Sequence, residues 1–463
     1  MKLSQVNTDK MVGVVRYNLI DAKFDFERSS MLIGVSGGID SIVLLEILTM
    51  LGIVGIVAHV DHGIRANSSS DADFVAREAK LRRHRFESER FDVCEIASQK
   101  KQSLEETARS VRYSFFEKIA NRYECQFIAL GHHEDDQAET VIMNLIRGSG
   151  ITGLSGMKSV RDGRYLRPML CFSKKIICEY ALKHNLQYRE DDTNTDERFF
   201  RNRIRNQLLP VLQMYNPKIK ETLSRTAILL RTDDDYIEQI AADSLKKIIS
   251  IESEQCVCID VQCIAGYHLT IQRRVVRAAL KKVGFDYPGD FYLVQEIIGL
   301  LNHGNTSVRH LRKRLRVQRW QEKLYLSAAE FNPLFLKVST KIEGNWDVGS
   351  GTLQLRQEII CYSEFLRSTQ LMSRRVAFFD SNALSDSVIV RSAKPGDQFY
   401  PLGLNGNKKL SNFLIDQKYP AILRDRVVVV ESNGEIIWVV GMRTGEYCKV
   451  VEETKTAVMM KFL

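Results

Sequence analysis

At 463 residues the chain is longer than one hydrophobic core usually organises, so two or three domains are expected. Hydrophobic residues at 44% and charged residues at 27% are ordinary for a globular protein, and no run of about 18 apolar residues or leader-like start is present, which excludes a helical membrane protein and predicts a cytoplasmic one. A net charge of +9 favours an anionic macromolecular partner over a merely basic enzyme, while nine scattered cysteines without a CxxC pair read as reduced thiols, mostly buried, and exclude a zinc ribbon.

Met11, Val14, Val15, Tyr17, Leu19 and Ile20 recur at helical spacing and predict a helix within residues 11–29 that packs on a sheet. The apolar run 31–35 is a buried strand, Ser36-Gly37-Gly38-Ile39-Asp40-Ser41 a tight turn, and 42–48 the helix after it. Two adjacent glycines let several amide N–H groups converge where the helix adds its positive end, which makes an anion nest. Ser36 and Ser41 can donate to phosphate oxygens, whereas Asp40 suits a Mg²⁺ that bridges phosphates, or an amine. A ligand-free turn rich in small residues is the plainer alternative.

Residues 53–60 read as a strand buried on both faces, 71–83 as a helix, 85–91 as a third strand, and Ser103-Leu104-Glu105-Glu106 as a capping box opening another helix. A fourth strand spans 125–131. Strands alternating with helices predict a Rossmann-like parallel sheet with ligands at the carboxyl ends of its strands. Three of those ends carry polar clusters: the nest, His59-Val60-Asp61-His62-Gly63-Ile64-Arg65, and Gly131-His132-His133-Glu134-Asp135-Asp136-Gln137-Ala138-Glu139-Thr140. His59 and His62 taken singly are as readily structural as functional; three clusters on one sheet favour a site. Asp136 and Glu139, three apart on a helix, face one side and can hold an ammonium, take its proton or ligate Mg²⁺; the helix dipole alone accounts for Glu134 and Asp135. The glycine-rich stretch 147–157 reads as a mobile loop over the site, or as a plain connection.

The hexapeptide lacks the lysine of a Walker loop and the spacing of a dinucleotide fingerprint, and resembles the pyrophosphate (PP) loop of the ATP pyrophosphatases. Together with Glu105-Glu106-Thr107-Ala108-Arg109-Ser110-Val111-Arg112-Tyr113, the GHHEDDQAET segment, the glycine loop, Arg167-Pro168, Asp191-Asp192-Thr193-Asn194 and Arg201-Asn202-Arg203-Ile204-Arg205, it resembles the tRNA(Ile)-lysidine synthase family densely over residues 30–210. Asp192-Thr193 departs from the Pro-Ser usual there, in a loop. The resemblance implies an α/β PP-loop catalytic domain over 1–215, a mainly helical tRNA-contacting domain over 216–340 and a β-rich α+β tRNA-binding domain over 341–463. It implies ATP and Mg²⁺ as cofactors, with L-lysine joined to C2 of the wobble cytidine of an isoleucine tRNA with a CAU anticodon. On that reading Ser36, Gly37, Gly38, Ile39, Asp40, Ser41, His59, Asp61 and His62 hold the nucleotide. Asp40, Arg112, His132, Asp136 and Glu139 carry the chemistry, with Asp136 and Glu139 holding the lysine and accepting its proton, and Arg201, Arg203, Arg205, Lys408 and Lys409 meet the tRNA. A PP-loop tRNA thiolase and a nucleotide-binding regulator without chemistry are the rivals; the lack of paired cysteines weighs against the first.

Beyond residue 216, amphipathic helices are predicted over 220–250, 271–283 and 291–301. The run 308–320 alternates Leu315 and Val317 with basic residues, as on a strand with one wet face that either contacts phosphate or is simply solvated. Strands at 388–391, 427–430 and 436–441 follow, the last two joined by a Ser432-Asn433-Gly434 hairpin turn, and Lys408-Lys409 stand at a helix start.

Overall fold

The computed structural model describes residues 10–63, 68–189, 199–253, 256–285, 291–312, 315–328, 333–340, 344–347, 352–359, 374–404 and 406–463. Ile64-Arg65, the acidic segment 191–194, residues 313–314 of the basic run, the expected boundary at 341 and Cys361 lie outside the described residues. The chain divides into two compact units, Met1–Tyr236 and Ile237–Leu463.

In the first unit, α1 (Met11–Asp21) ends earlier than its apolar spacing predicts. Lys23 turns left-handed at φ 62°, and Phe24 folds back edge-on to Phe26 and Phe127. The chain then alternates β1 (Met31–Gly34), α2 (Ile39–Met50), β2 (Ile56–Asp61), α3 (Ser68–Leu81), β3 (Arg85–Arg90), α4 (Val93–Lys100), α5 (Leu104–Arg122), β4 (Phe127–Leu130) and α6 (Glu134–Ile146). A helical turn α7 (Ile151–Leu154), the hairpin β5 (Val160–Arg161) and β6 (Tyr165–Leu166), and α8 (Lys174–Lys183) follow. The Ser103 hydroxyl accepts from the Glu106 amide at 3.2 Å, the cap its sequence predicts.

The strands order β3-β2-β1-β4-β6-β5, all parallel except β5, which runs antiparallel to β6. One face buries Val15 and Leu19 of α1, Leu44 and Ile47 of α2 and Tyr180 of α8; the other buries Phe115, Phe116 and Ile119 of α5. Each such side chain contributes about 1.5–3 kcal/mol. That two-sided core holds the carboxyl ends of β1, β2 and β4 in fixed positions. Further on, α9 (Phe200–Arg203), a π-helical turn (Ile204–Leu208) and α10 (Leu209–Tyr215) pack Ile204 and Leu209 on Ala138, Ile142 and Met143 of α6.

In the second unit, the helical middle also carries a five-stranded antiparallel sheet that sequence spacing left largely unread. α11 (Ile219–Ile248) enters it, followed by β7 (Ile249–Ser253), β8 (Cys256–Asp260), α12 (Val261–Ala265), α13 (Leu269–Lys282), α14 (Phe291–Leu301), β9 (Arg309–Leu311), β10 (Leu315–Trp320) and β11 (Lys323–Ala328). The strand order is β7-β8-β11-β10-β9, and α13 and α14 lay Val275, Val276, Ala279 and Ile297 on one face of it.

The expected wet face of β10 is covered instead. Gln318 accepts from the Ile422 amide at 2.9 Å, Trp320 donates to the Lys418 carbonyl at 3.0 Å, and Arg316 pairs with Asp425 at 2.7 Å. Those basic residues are structural contacts within the unit rather than a phosphate-facing strip.

The rest of the unit holds two antiparallel sheets. Phe335–Ser339, Ser387–Ser392, Val428–Ser432, Glu435–Val439 and Arg443–Thr444 form one, and Gly344–Asp347, Thr352–Ile359, Thr456–Phe462 and Val376–Asp380 the other. Trp438, Phe379, Val390, Val430 and Met460 share one core cluster. Asn433 and Gly434, both at positive φ, make the predicted hairpin turn. Of the eight described cysteines, all free, Cys125, Cys256 and Cys258 are buried while Cys94 and Cys263 are exposed, fewer buried than expected.

Candidate active site

Strand order reverses between β1 and β4, so the loops after these two strands open into one crevice, the usual ligand position in an open α/β sheet. Gly37 adopts φ +93°, and a Cβ there would lie 3.3 Å from Val75. The buried Ser41 hydroxyl accepts from the Ser36 and Gly37 amides at 3.2 Å each and donates to the Gly38 carbonyl at 2.8 Å. Ser41 therefore shapes the loop from within, while Ser36 is exposed. Gly38 caps α2, Ile39 turns into the core, and the loop stands at the positive end of that helix. A Cβ at Gly131 would come within 3.0 Å of the Asp40 carbonyl, so glycine there lets the end of β4 approach the loop.

Asp40 is half-buried, not on a fully exposed turn. Both its oxygens accept from Lys174 Nζ, at 2.6 and 2.7 Å, and His133 Nε2 lies 3.6 Å away. Burial alone would raise its pKa, but His133 and Lys174 hold it below the usual carboxylate range. His133 bridges Asp40 and Asp136, whose Oδ2 is 3.5 Å from Nε2 and accepts from the His133 amide at 3.0 Å. Against the effect of burial, the two carboxylates raise the proton affinity of His133. Sequence reasoning missed Lys174: Ser173, which caps α8, marks a helix start but says nothing of a partner 134 residues away.

Asp136 and Glu139 do share one side of α6, and that side is met by Arg201 and Arg205. Arg201 donates to Glu139 at 2.6 Å and to Asp136 at 3.0 Å; Arg205 donates to Glu139 at 2.5 Å and stands 3.4 Å from Asp136. Two of the three arginines read as tRNA contacts thus bind the carboxylates read as holding lysine, and Arg203 stacks on Phe200 at 5.3 Å. Despite burial, His133 and Arg201 keep Asp136 well below the ordinary carboxylate range, which suits holding an ammonium better than accepting its proton. Glu134, by contrast, is pushed up to about 7 by burial and by Glu221 and Asp135.

His59 donates through Nδ1 to the Val35 carbonyl at 2.9 Å, and Asp61 accepts from the Gly63 amide at 2.8 Å, so both brace the strand ends. His62 lies 3.3 Å from Arg112 Nη2; burial and that guanidinium push its pKa down to about 4. Burial likewise takes His132 to about 3, with Asp136 opposing and Arg167 and Arg201 adding to the effect. Both imidazoles are neutral at physiological pH. His62, His132 and His133 each leave a buried Nδ1, and Thr107 a buried hydroxyl, without a hydrogen-bond partner, polar capacity that a ligand would satisfy.

A cavity of about 380 Å³ opens among Ser103, Leu104, Glu105, Arg147, Phe199 and Phe200. The glycine-rich segment, expected as a mobile loop, is tethered: Gln137 bonds both backbone groups of Met157, Asn144 donates to Gly153, and Arg231 donates to Ser155 and Met157. Lys408 pairs with Asp416, and Lys409 is exposed at the start of the helix Leu410–Asp416; both lie in the second unit.

Among the described residues no group of three or more His, Cys, Asp or Glu forms a metal cage. The single carboxylate beside the nest fits the way Mg²⁺ is usually held with nucleotides, by one or two carboxylates and the phosphates themselves. Among those residues, too, no helix is long and apolar enough to cross a membrane.

A glycine nest at a helix start, flanked by Asp40, Lys174 and His133 at the switch point of a parallel sheet, defines a PP-loop domain, and a PP-loop domain family model matches residues 13–212. A second model, for the TilS substrate C-terminal domain, matches residues 388–459. The chain is 30% identical over 455 residues to the tRNA(Ile)-lysidine synthase of Clostridium tetani, with 96% of each chain covered. It is 31% identical to that of Geobacter sulfurreducens, covering 93% of this chain and 92% of the relative, and 29% identical to that of Bacillus subtilis, covering 94% of each. The chain belongs to the tRNA(Ile)-lysidine synthase family: it is an ATP-using PP-loop enzyme that modifies tRNA.

Proposed function

We propose that the protein joins L-lysine to C2 of the wobble cytidine of an isoleucine tRNA with a CAU anticodon, through an adenylated tRNA. The cytidine O2 attacks the α-phosphate of ATP and pyrophosphate leaves; the lysine ε-amine then attacks C2, AMP leaves with the C2–O bond electrons, and the amine gives up its proton. The observation that carries this reading is the pairing of two unlike subsites in one crevice. The nest beside Asp40 and Lys174 suits a leaving pyrophosphate, and Asp136 with Glu139, already clasping cationic side chains, suits an ammonium.

The loop amides and the α2 start meet the charge that develops on the pyrophosphate. Mg²⁺, with Asp40 as its protein ligand, would supply further charge neutralisation there. Lys174 and His133 hold Asp40 ionised and in place. Asp136 and Glu139 orient the incoming amine, and Glu134, with its pKa near 7, has a proton affinity suited to taking up the proton released. Arg112 and neutral His132 face the activated base, which an unpaired anticodon loop can present and a duplex cannot.

The test is incorporation of labelled lysine into a CAU-anticodon tRNA transcript. Incorporation that requires ATP and spares a methionine tRNA supports the reading. ATP- and tRNA-dependent turnover that ignores lysine, and proceeds only with a sulfur donor, contradicts it.

A further inference from the structure

Away from the nest, on the side of β4 that carries the β5–β6 hairpin, three guanidinium groups gather around one tyrosine. Arg109 stands 4.9 Å from the Tyr113 ring centroid and donates weakly to its hydroxyl at 3.4 Å. Arg161 lies 4.4 Å from the same ring and 4.2 Å from that of Tyr165, the two rings being edge to face at 5.1 Å. Arg167 is 3% exposed, donates to the Lys158 carbonyl at 2.6 Å, and leaves its buried Nε without a partner. Neighbouring acid is engaged elsewhere: Glu117 takes Arg164 and the Tyr165 hydroxyl, and Glu139 takes Arg201 and Arg205. Asp162, itself exposed, reaches Arg161 at 3.1 Å.

Cation–π contact offsets part of the mutual repulsion, at about 0.5–2 kcal/mol each, but leaves the charge of the cluster unbalanced. After burial, Arg161 and Arg109 lower the proton affinity of Arg167; against burial, Arg109, Arg167 and Arg161 pull the Tyr113 phenol below its usual range. An anion is what such a field lacks. ATP is placed elsewhere, since β6 lies two strands from β1, about 10 Å across the sheet.

We infer that Arg109, Arg161 and Arg167, set around Tyr113, form a binding site for a backbone phosphate of the substrate RNA. The inference rests on the tRNA reading above. Planar guanidinium forks suit a phosphodiester held on two sides, and anchoring the backbone beside His132 would fix where the neighbouring base enters the crevice.

The test uses the full chain with Arg109→Gln and Arg161→Gln combined, and Arg109→Gln alone, which alters an exposed side chain and spares the fold. Filter binding of a CAU-anticodon transcript across a salt series, and binding of ATP without RNA, are measured beside the wild type. The double variant is expected to bind RNA at least about tenfold more weakly, with a salt slope shallower by about 1.4–1.8, at about 0.7–0.9 per lost contact, and ATP binding unchanged. Arg109→Lys should restore part of the affinity. An unchanged slope and affinity would overturn the inference, as would a loss of ATP binding with RNA binding intact, which would assign the cluster to the nucleotide. A wild type that binds no tRNA would fail the functional reading instead.

Discussion

The two units treat buried charge in opposite ways. In the second, Arg391 is buried and fully answered, with Asp397 at 2.8 and 3.0 Å and Glu431 at 2.8 Å. Arg316 of β10 likewise has Asp425. In the first unit, Arg112 meets only a neutral imidazole among its printed contacts, Arg167 keeps an orphan Nε, and three histidines keep orphan Nδ1 atoms. Charge that is matched inside the fold acts as structure; charge left unmatched around a crevice is capacity held for a ligand. The composition of the two units does not reveal this difference, because both are rich in arginine.

The largest effect that would sharpen this contrast is at the nest. Asp40→Ala is expected to cut tRNA-dependent pyrophosphate release by about 100- to 1,000-fold with the thermal transition near that of the wild type. Normal turnover would reduce the Ser36–Ser41 loop to a structural turn. Next, Asp136→Asn should abolish lysine incorporation while some adenylated tRNA still forms, seen as AMP-labelled transcript. Equal loss of both half-reactions would assign Asp136 to the nucleotide instead.

Arg391→Ala probes the opposite kind of charge. It is expected to destabilise the second unit by about 3–5 kcal/mol in a urea titration, because it leaves two carboxylates buried and unpaired, and to leave ATP binding intact. A smaller effect concerns pH. Folded His62 titrates near 4 and an unfolded histidine near 6.5, so the unfolded chain takes up its proton first as pH falls. The stabilising contribution of His62 is complete above pH 6.5 and is lost toward pH 4. His62→Gln should therefore flatten the rise of the urea midpoint between pH 4 and 6.5, and an identical slope in both proteins would remove that contribution. Smallest is the pair Lys408→Glu and Lys409→Glu. With Lys408 bound to Asp416, the salt slope of tRNA binding should fall by about one contact, 0.7–0.9, rather than two.

Local rules made much of this legible. The nest could be read because glycines, a helix start and hydroxyls are adjacent in sequence, and Asp136 with Glu139 because three residues along a helix return to the same side. The Ser103 cap and the Asn433-Gly434 turn follow from the same short-range chemistry. What stayed hidden was tertiary. Lys174 reaches Asp40 across 134 residues, and Arg201 reaches Glu139 across 62, and neither pairing has a local signature. The wet face predicted for β10 was a correct alternation with the wrong neighbour, since residues 418–425 cover it. The strands of the middle sheet were lost among helices whose stronger periodicity dominates the segment.

The central claim is that the crevice at the ends of β1 and β4 uses ATP to activate tRNA, and pyrophosphate release from ATP tests it most directly. Measured with a CAU-anticodon transcript and without it, release should appear only when the transcript is present and persist, at a reduced extent, when lysine is withheld. Release that proceeds equally without RNA, or none under either condition from protein that binds ATP, would contradict the account.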